Sequence, residues 1–323
     1  MTEFELIRRF FTRPARRAVL GVGDDCALIA PRPGCELALS TDMLVAGRHF
    51  PRDAEPEALG HKTLAVNLSD CAAVGADPRY ALLAGALPDA DPGWLEAFSR
   101  GLFALADRFD VELVGGDTTR GPLTLCVTIV GEVPAGQALL RSGARPGDTI
   151  WVSGMLGAAA AGLAALQGKL DLPAAERRQA LDALHRPEPR VALGVALRGI
   201  AASAIDVSDG LAGDLGHILE RSAAGAEIDL ARIPAPAWLR ARLAAAATRD
   251  FALGCVLAGG DDYELCFTAR PEQEARVREA GRSAGVAVTP IGRIVAGAGL
   301  VVRDDGGQPL DTAALRPFDH FGA

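Results

Sequence analysis

Lysine is almost absent from this chain. Lys62 and Lys169 are the only two, and every other formally basic residue is arginine. A Walker A loop needs its lysine framed by an earlier glycine and a following Ser or Thr. Gly168-Lys169-Leu170 lacks both, which excludes a P-loop. The six cysteines, Cys26, Cys35, Cys71, Cys126, Cys255 and Cys266, form no C-x-x-C pair. A zinc ribbon and a dithiol redox motif are thereby excluded, and the thiols read as small apolar residues of a reducing compartment. Gly-x-Ser-x-Gly is missing, and the five histidines include no H-E-x-x-H pair. No apolar run is long enough to span a bilayer, and Met1-Thr2-Glu3-Phe4-Glu5 lacks a signal-peptide core. A cytoplasmic protein with no membrane partner is expected. Basic residues are outnumbered 33 to 41, a net charge of −8, which argues against nucleic acid as a partner. The same balance means that a polyphosphate ligand would need a metal to neutralise it.

What the chain has instead is a recurring acidic grammar. Short apolar runs lead to glycine, hydroxyl and aspartate: Gly21-Val22-Gly23-Asp24-Asp25, Leu39-Ser40-Thr41-Asp42, Asn67-Leu68-Ser69-Asp70 and Leu113-Val114-Gly115-Gly116-Asp117-Thr118. Ile205-Asp206-Val207-Ser208-Asp209-Gly210 and Gly259-Gly260-Asp261-Asp262-Tyr263-Glu264 continue the series. Glycine lets a backbone approach a ligand, and aspartate is a short, hard oxygen donor suited to Mg²⁺. Taken singly, each island reads more simply as a turn or a helix cap. Taken together, carboxylates converging without cations would repel one another, and metal resolves that conflict. One shared site that holds Mg²⁺ and polyphosphate is the expectation.

At 323 residues the chain exceeds the usual size of one core, so two domains are expected, with a linker region across 134–147. Apolar spacing predicts helices over 4–11, 56–76 and 94–109, with Asp70 inside the second. Strands are expected over 19–22, 27–30, 37–40, 80–87, 111–114 and 123–133, so that Asp42 and Asp117 lie in loops at strand ends. The second half reads as strands over 149–153, 203–207, 263–268, 286–293 and 300–303, alternating with helices over 154–168, 174–184, 190–199, 211–221 and 272–284. The fold class is α+β. His61, His185 and His217 read as helical surface residues. His49 follows the Asp42 island in a segment without periodicity, where substrate contact and a plain loop role are balanced. Ser153-Gly154-Met155-Leu156-Gly157 reads equally as an anion-binding helix start or as tight packing.

These motifs, in this order, resemble the thiamine-monophosphate kinase family of the aminoimidazole-ribonucleotide synthetase superfamily. The resemblance is carried by Gly21 to Ala27, Ser40-Thr41-Asp42 through His49-Phe50, Asn67 to Asp70, Gly115 to Gly121, Arg141-Ser142-Gly143, Asp206 to Gly210, Asp262-Tyr263-Glu264-Leu265 and Phe318-Asp319-His320-Phe321. It implies an ATP-dependent kinase that converts thiamine monophosphate to thiamine diphosphate, working as a homodimer. It also implies an N-terminal α+β sheet domain, residues 1–137, that binds ATP and Mg²⁺ and dimerises, and a C-terminal α/β/α layered domain, residues 138–323, that completes the site. By motif, Asp25, Ser40, Thr41, Asp42, Asp70, Asp117, Asp206 and Asp209 match metal ligands. Gly116, Asp117, Arg141 and Ser208 match nucleotide contacts, and His49, Asp261 and Phe318 match substrate contacts. Asp261 stands where the family often has Glu. No catalytic residue beyond the metal ligands is implied, because phosphoryl transfer to an ionised phosphate needs positioning rather than a base. The alternatives are another ATP-dependent synthetase of the superfamily, a Mg-nucleotide sensor, and a structural dimer whose Asp islands are only turns.

Overall fold

The structure is a computed structural model that describes residues 1–311. The Phe318 expectation therefore lies outside the described residues. Two compact units divide the chain, the first residues 1–71 and 76–136, the second residues 72–75 and 137 onward.

The first unit is built on four strands, β1 (Cys35–Val45), β2 (Asp77–Leu87), β3 (Glu112–Arg120) and β4 (Thr124–Pro134), in the order β1-β4-β2-β3. Only β2 and β3 run parallel. Three helices accompany them: α1 (Glu3–Leu6), which continues as a π-helical turn to Phe11, α2 (Pro56–Val74) and α3 (Pro92–Arg108). Side chains alternate across a strand, and β1 shows this plainly. Ala38, Ser40, Asp42 and Leu44 are sheltered, whereas Leu37, Leu39, Thr41 and Met43 are exposed. The sheltered face is covered by α2, whose Leu64, Ala65 and Leu68 are at most 1% exposed. Against α2 packs α3, through Leu95, Phe98 and Leu102. The two helices cross in backbone contact. A Cβ on Gly60 would fall 2.0 Å from Phe98 O, and one on Gly101 would fall 1.8 Å from Glu57 O, so only glycine permits the crossing.

The expected strands over 19–22 and 27–30 do not form. They leave isolated bridges, Leu20 to Leu28 and Val22 to Asp24. This segment is held by side chains instead. Ala18, Ala27 and Ile29 pack on Tyr80, Val114 and Val130 of the second sheet face. The buried Glu112 carboxylate accepts the amides of Arg16 (3.1 Å), Arg17 (2.8 Å) and Ala18 (3.2 Å). Burial alone would raise that carboxyl, but the amides of Arg17, Ala18 and Arg16 outweigh it and hold it below its ordinary value.

The second unit carries a six-stranded mixed sheet in the order β10-β7-β9-β5-β8-β6. Its strands are β5 (Thr149–Ser153), β6 (Ser203–Val207), β7 (Gly225–Asp229), β8 (Glu264–Ala269), β9 (Val288–Val295) and β10 (Gly299–Arg303). The helices are α4 (Ala158–Leu166), α5 (Ala174–His185), α6 (Val191–Ala196), α7 (Leu211–Ser222), α8 (Ala237–Ala244), α9 (Arg249–Leu253) and α10 (Glu274–Ser283). Both sheet faces are covered. Ile150, Val152, Ile205 and Val207 join the cluster that includes Leu211, Leu215 and Ile218 of α7. Trp151 and Phe267 stack at 6.4 Å on the other face, with Arg278 of α10 over the Trp151 ring. The result is a mixed α+β chain with α/β/α layering in this unit. Strand β7 has no counterpart among the expected elements, nor have α8 and α9. No described helix is long and apolar enough to cross a membrane.

Candidate functional site

In the first unit three acidic islands sit within regular structure, and only that of Gly23-Asp24-Asp25 lies outside it. β1 runs on through Ser40, Thr41 and Asp42, and β3 runs on through Gly116, Asp117 and Thr118. Pairing explains both corrections. Ser40, Thr41 and Asp42 are in register with Ile129, Thr128 and Val127 of β4. Gly116 and Asp117 are in register with Leu83 and Ala84 of β2. Gly116 has φ +147°, and a Cβ there would fall 1.8 Å from Leu83 O, so the strand continues only because this residue is glycine.

Ser40 and Asp70 come together: Ser40 Oγ donates to Asp70 Oδ2 at 2.5 Å, joining β1 to α2. Asp42 lies two residues along β1 on the same face. Thr41 points to the other face and meets Thr128 Oγ1 at 2.6 Å. The register aligns Asp117 with Ala84, Cys126 and Met43, which places it on the Thr41 face. β1 and β3 are opposite edges of the sheet. Three strand spacings separate them, about 14 Å, too far for Asp42 and Asp117 of one chain to share an ion. Asp25 is exposed, and its amide donates to Asp24 Oδ1 at 2.9 Å. His49 is half-buried, and its Nδ1 accepts the Val45 amide at 2.9 Å. That bond assigns the neutral ring its proton at Nε2.

In the second unit two acidic islands are joined backbone to backbone. Asp261 N donates to Ser208 O at 2.9 Å, and Tyr263 N to Val207 O at 2.8 Å. Asp206 is buried, whereas Ser208, Asp209 and Asp261 are half-buried. Asp261 and Tyr263 both adopt positive φ, +69° and +50°, and Tyr263 OH donates to Asp261 Oδ1 at 3.2 Å. Two strained residues in three are held because the surrounding bonds over-determine the turn. Arg141 is exposed in the segment before β5.

Asp262 and Glu264, which the motifs contained without a role, and Arg190 and Asp214, which no motif contained, shape this region. Asp262 accepts the Gly157 amide at 2.8 Å at the start of α4. Burial raises its carboxyl well above the ordinary value, and the Gly157 amide only partly offsets this. The same bond decides the reading of Ser153 to Gly157, because the chain's own carboxylate occupies that helix start. A Cβ on Gly157 would also fall 2.8 Å from Leu239 Cδ2, so the glycine serves close packing. Glu264 is buried and takes Arg190 Nε at 2.7 Å and Nη2 at 2.5 Å, with Ser153 Oγ at 2.5 Å. Asp214 accepts three amides, those of Ser208 (3.0 Å), Asp209 (3.1 Å) and Gly210 (3.1 Å). Burial pushes its carboxyl up to about 7, with the Asp206 charge adding to the rise. A sequence signal for Asp214 existed: it interrupts the apolar stripe of Leu211, Leu215, Ile218 and Leu219.

Comparison with known proteins follows these lines. The N-terminal domain of AIR synthase related protein matches residues 23–133, and the C-terminal domain of AIR synthase related protein matches residues 145–305. Thiamine-monophosphate kinase of Escherichia coli (strain K12) is 49% identical over 325 residues, 99% of this chain and 98% of that protein. The chain belongs to the thiamine-monophosphate kinase family. The crystal structure of thiamine-monophosphate kinase from Stenotrophomonas maltophilia K279a has a TM-score of 0.83 at 46% identity, covering 95% of this chain and 96% of that one. AaThiL complexed with AMPPCP and TMP has a TM-score of 0.77 at 30% identity, covering 90% of this chain and 89% of that one.

Proposed function

We propose that the protein transfers the γ-phosphoryl group of ATP to the phosphate of thiamine monophosphate, giving thiamine diphosphate and ADP by direct in-line displacement. The supporting observation is identity of 49% to a thiamine-monophosphate kinase along 99% of the chain. The relative bound to AMPPCP and TMP supports ATP and thiamine monophosphate as the two substrates.

Ser40, Thr41, Asp42, Asp70 and Asp117 in the first unit, and Asp206 and Asp209 in the second, offer hard oxygen donors of the kind Mg²⁺ takes; Asp25 joins them by motif. Among the described residues no three Asp, Glu, His or Cys side chains gather to hold a metal ion. The donors still fit Mg²⁺, which dehydrates reluctantly and is bound through one or two carboxylates together with substrate phosphates. When bound, Mg²⁺ would supply positive charge against the charge that develops in the transfer. Gly116, whose lack of a side chain leaves β3 backbone open to a ligand, is assigned to the nucleotide by motif, as are Arg141 and Ser208 of the second unit. His49, its ring fixed by the Val45 amide at Nδ1, is assigned to the substrate by motif. Asp261, fixed by its strained turn and by Tyr263, serves the substrate end, and Phe318 is assigned there by motif.

Incubation with Mg-ATP and thiamine monophosphate tests the activity, with products identified by mass spectrometry. Thiamine diphosphate and ADP are expected; folded protein that makes neither would refute the assignment. A second expectation concerns the metal. Mg²⁺ alone should move the thermal midpoint by less than about 1 °C, because no cage is preformed among the described residues. Mg²⁺ with ATP at 100 times its Kd should raise it by roughly 5–10 °C. An equally large shift from Mg²⁺ alone would show a preformed metal site.

The exposed face of β1 supports a homodimer. Leu37, Leu39 and Met43 are 39%, 65% and 56% exposed in a row on one strand, an apolar surface of the kind that pairs with a second copy. Light scattering should give twice the chain mass, and Leu39→Asp should shift it toward monomer. A wild-type protein that stays monomeric at micromolar concentration would count against the dimer.

A further inference from the structure

Asp214 lies in the first turns of α7 and is 3% exposed. Its neighbours along the helix, Leu211, Leu215 and Ile218, are wholly buried. A carboxylate in such surroundings costs several kcal/mol unless it is hydrogen-bonded. The compensation is local and unusually complete. One oxygen, Oδ2, takes the amides of Ser208, Asp209 and Gly210, all three residues that precede the helix. Of the three, only the Gly210 amide belongs to the helix start, at the N-cap; the other two belong to the loop before it, so the bonds fix the loop rather than merely cap the helix.

The amides at a helix N-terminus ordinarily make a ready anion site. The amides of Ser208, Asp209 and Gly210, which lead into this helix, are instead turned inward on Asp214. On the carbonyl side, Ser208 O accepts Asp261 N at 2.9 Å and Val207 O accepts Tyr263 N at 2.8 Å. The loop backbone is thus engaged on both sides. What it can present to a ligand are its side chains, the Ser208 hydroxyl and the Asp209 carboxylate.

We propose that Asp214 is the positioning residue of this loop: by gathering three backbone amides it turns the loop's side-chain oxygens, rather than its amides, toward the metal-nucleotide complex. The inference rests on the reading that Asp209 serves that complex. Removing the Asp214 acceptor would release three amides, let the loop rotate, and scatter the Asp209 carboxylate over several orientations. Loss of a fixed ligand direction weakens metal-nucleotide binding without touching any group that contacts the ligand.

The test uses Mn²⁺ with AMPPCP on the full chain, read by electron paramagnetic resonance, alongside hydrogen exchange of the 208–210 amides. Asp214→Ala is expected to weaken Mn²⁺ binding about tenfold and to speed exchange at those amides at least tenfold. Asp214→Asn keeps a neutral acceptor and should shift binding only two- to fivefold, with a smaller rise in exchange. Asp209→Asn is the control and should weaken Mn²⁺ binding without speeding exchange. If Asp209→Asn binds Mn²⁺ normally, the loop does not serve the metal, and both readings fall. If Asp209→Asn is weakened while folded Asp214 variants bind Mn²⁺ as wild type does, the positioning role alone is overturned. Should Asp214→Ala not fold, Asp214→Asn decides: unchanged binding and unchanged exchange refute the proposal, and the partial shifts support it.

Discussion

Replacing Asp42 or Asp117 by asparagine is expected to lower turnover at least ~10²-fold while the chain stays folded. Asparagine preserves size and one oxygen but removes the charge that a Mg²⁺ ligand supplies. A loss of ~10² corresponds to about 2.7 kcal/mol of transition-state stabilisation, within the range found when one electrostatic contributor is removed. The fold should tolerate both changes, because Asp117 is exposed and Asp42 half-buried. The two positions sit on opposite edge strands, so neither result stands in for the other. Steady-state rates at ordinary Mg²⁺ concentration, with circular dichroism to verify folding, are the measurement. Near-normal turnover in either folded variant would remove that residue from the metal-binding set.

The largest effect on stability is expected at Arg190. Its guanidinium meets both Glu264 oxygens, and the Glu264 side chain is 6% exposed. Removing one partner of a buried ion pair leaves the other charged and unsolvated, which costs about 3–5 kcal/mol. Arg190→Met should therefore lower the thermal midpoint by about 10 °C, at 2–4 °C per kcal/mol for a unit of this size. A second substitution separates the charge from the packing. Arg190→Met combined with Glu264→Leu removes the stranded carboxylate and should recover a good part of the loss. Calorimetry on both variants checks this. If the single variant melts within about 2 °C of wild type, the pair is not the buried anchor described.

The ion pair also shows what motif reading could not supply. Asp262-Tyr263-Glu264 was visible as an acidic island, yet its three residues do different work. Asp262 caps α4, Tyr263 steadies Asp261, and Glu264 pairs with an arginine 74 positions away. Spacing in the chain carries no record of which carboxylate meets a cation from another element. The same limit applies to Asp214, whose three partners lie only four to six residues back. They bind through backbone amides, which every residue except proline possesses and no motif marks.

Sequence alone determined the elements whose pattern is local. The apolar spacing of α2 and α3 was enough to place those helices, because a helix satisfies its own backbone bonds. The α+β class, the acidic islands and their oxygen chemistry were legible for the same reason: composition and short-range order carry them. Tertiary structure decided the rest, because strands are completed by partners. Residues 19–22 have strand-like residues, but only bridges form there, and the segment is held by Glu112 and by packing on the sheet face. Thr41-Asp42 and Gly116-Asp117 look like turns, but β4 and β2 lie alongside and draw them into the sheet. That pairing sets Asp42 and Asp117 on opposite edges of the sheet. The distance between two carboxylates is a property of strand order, and strand order arises from hydrogen bonds between segments far apart in the chain.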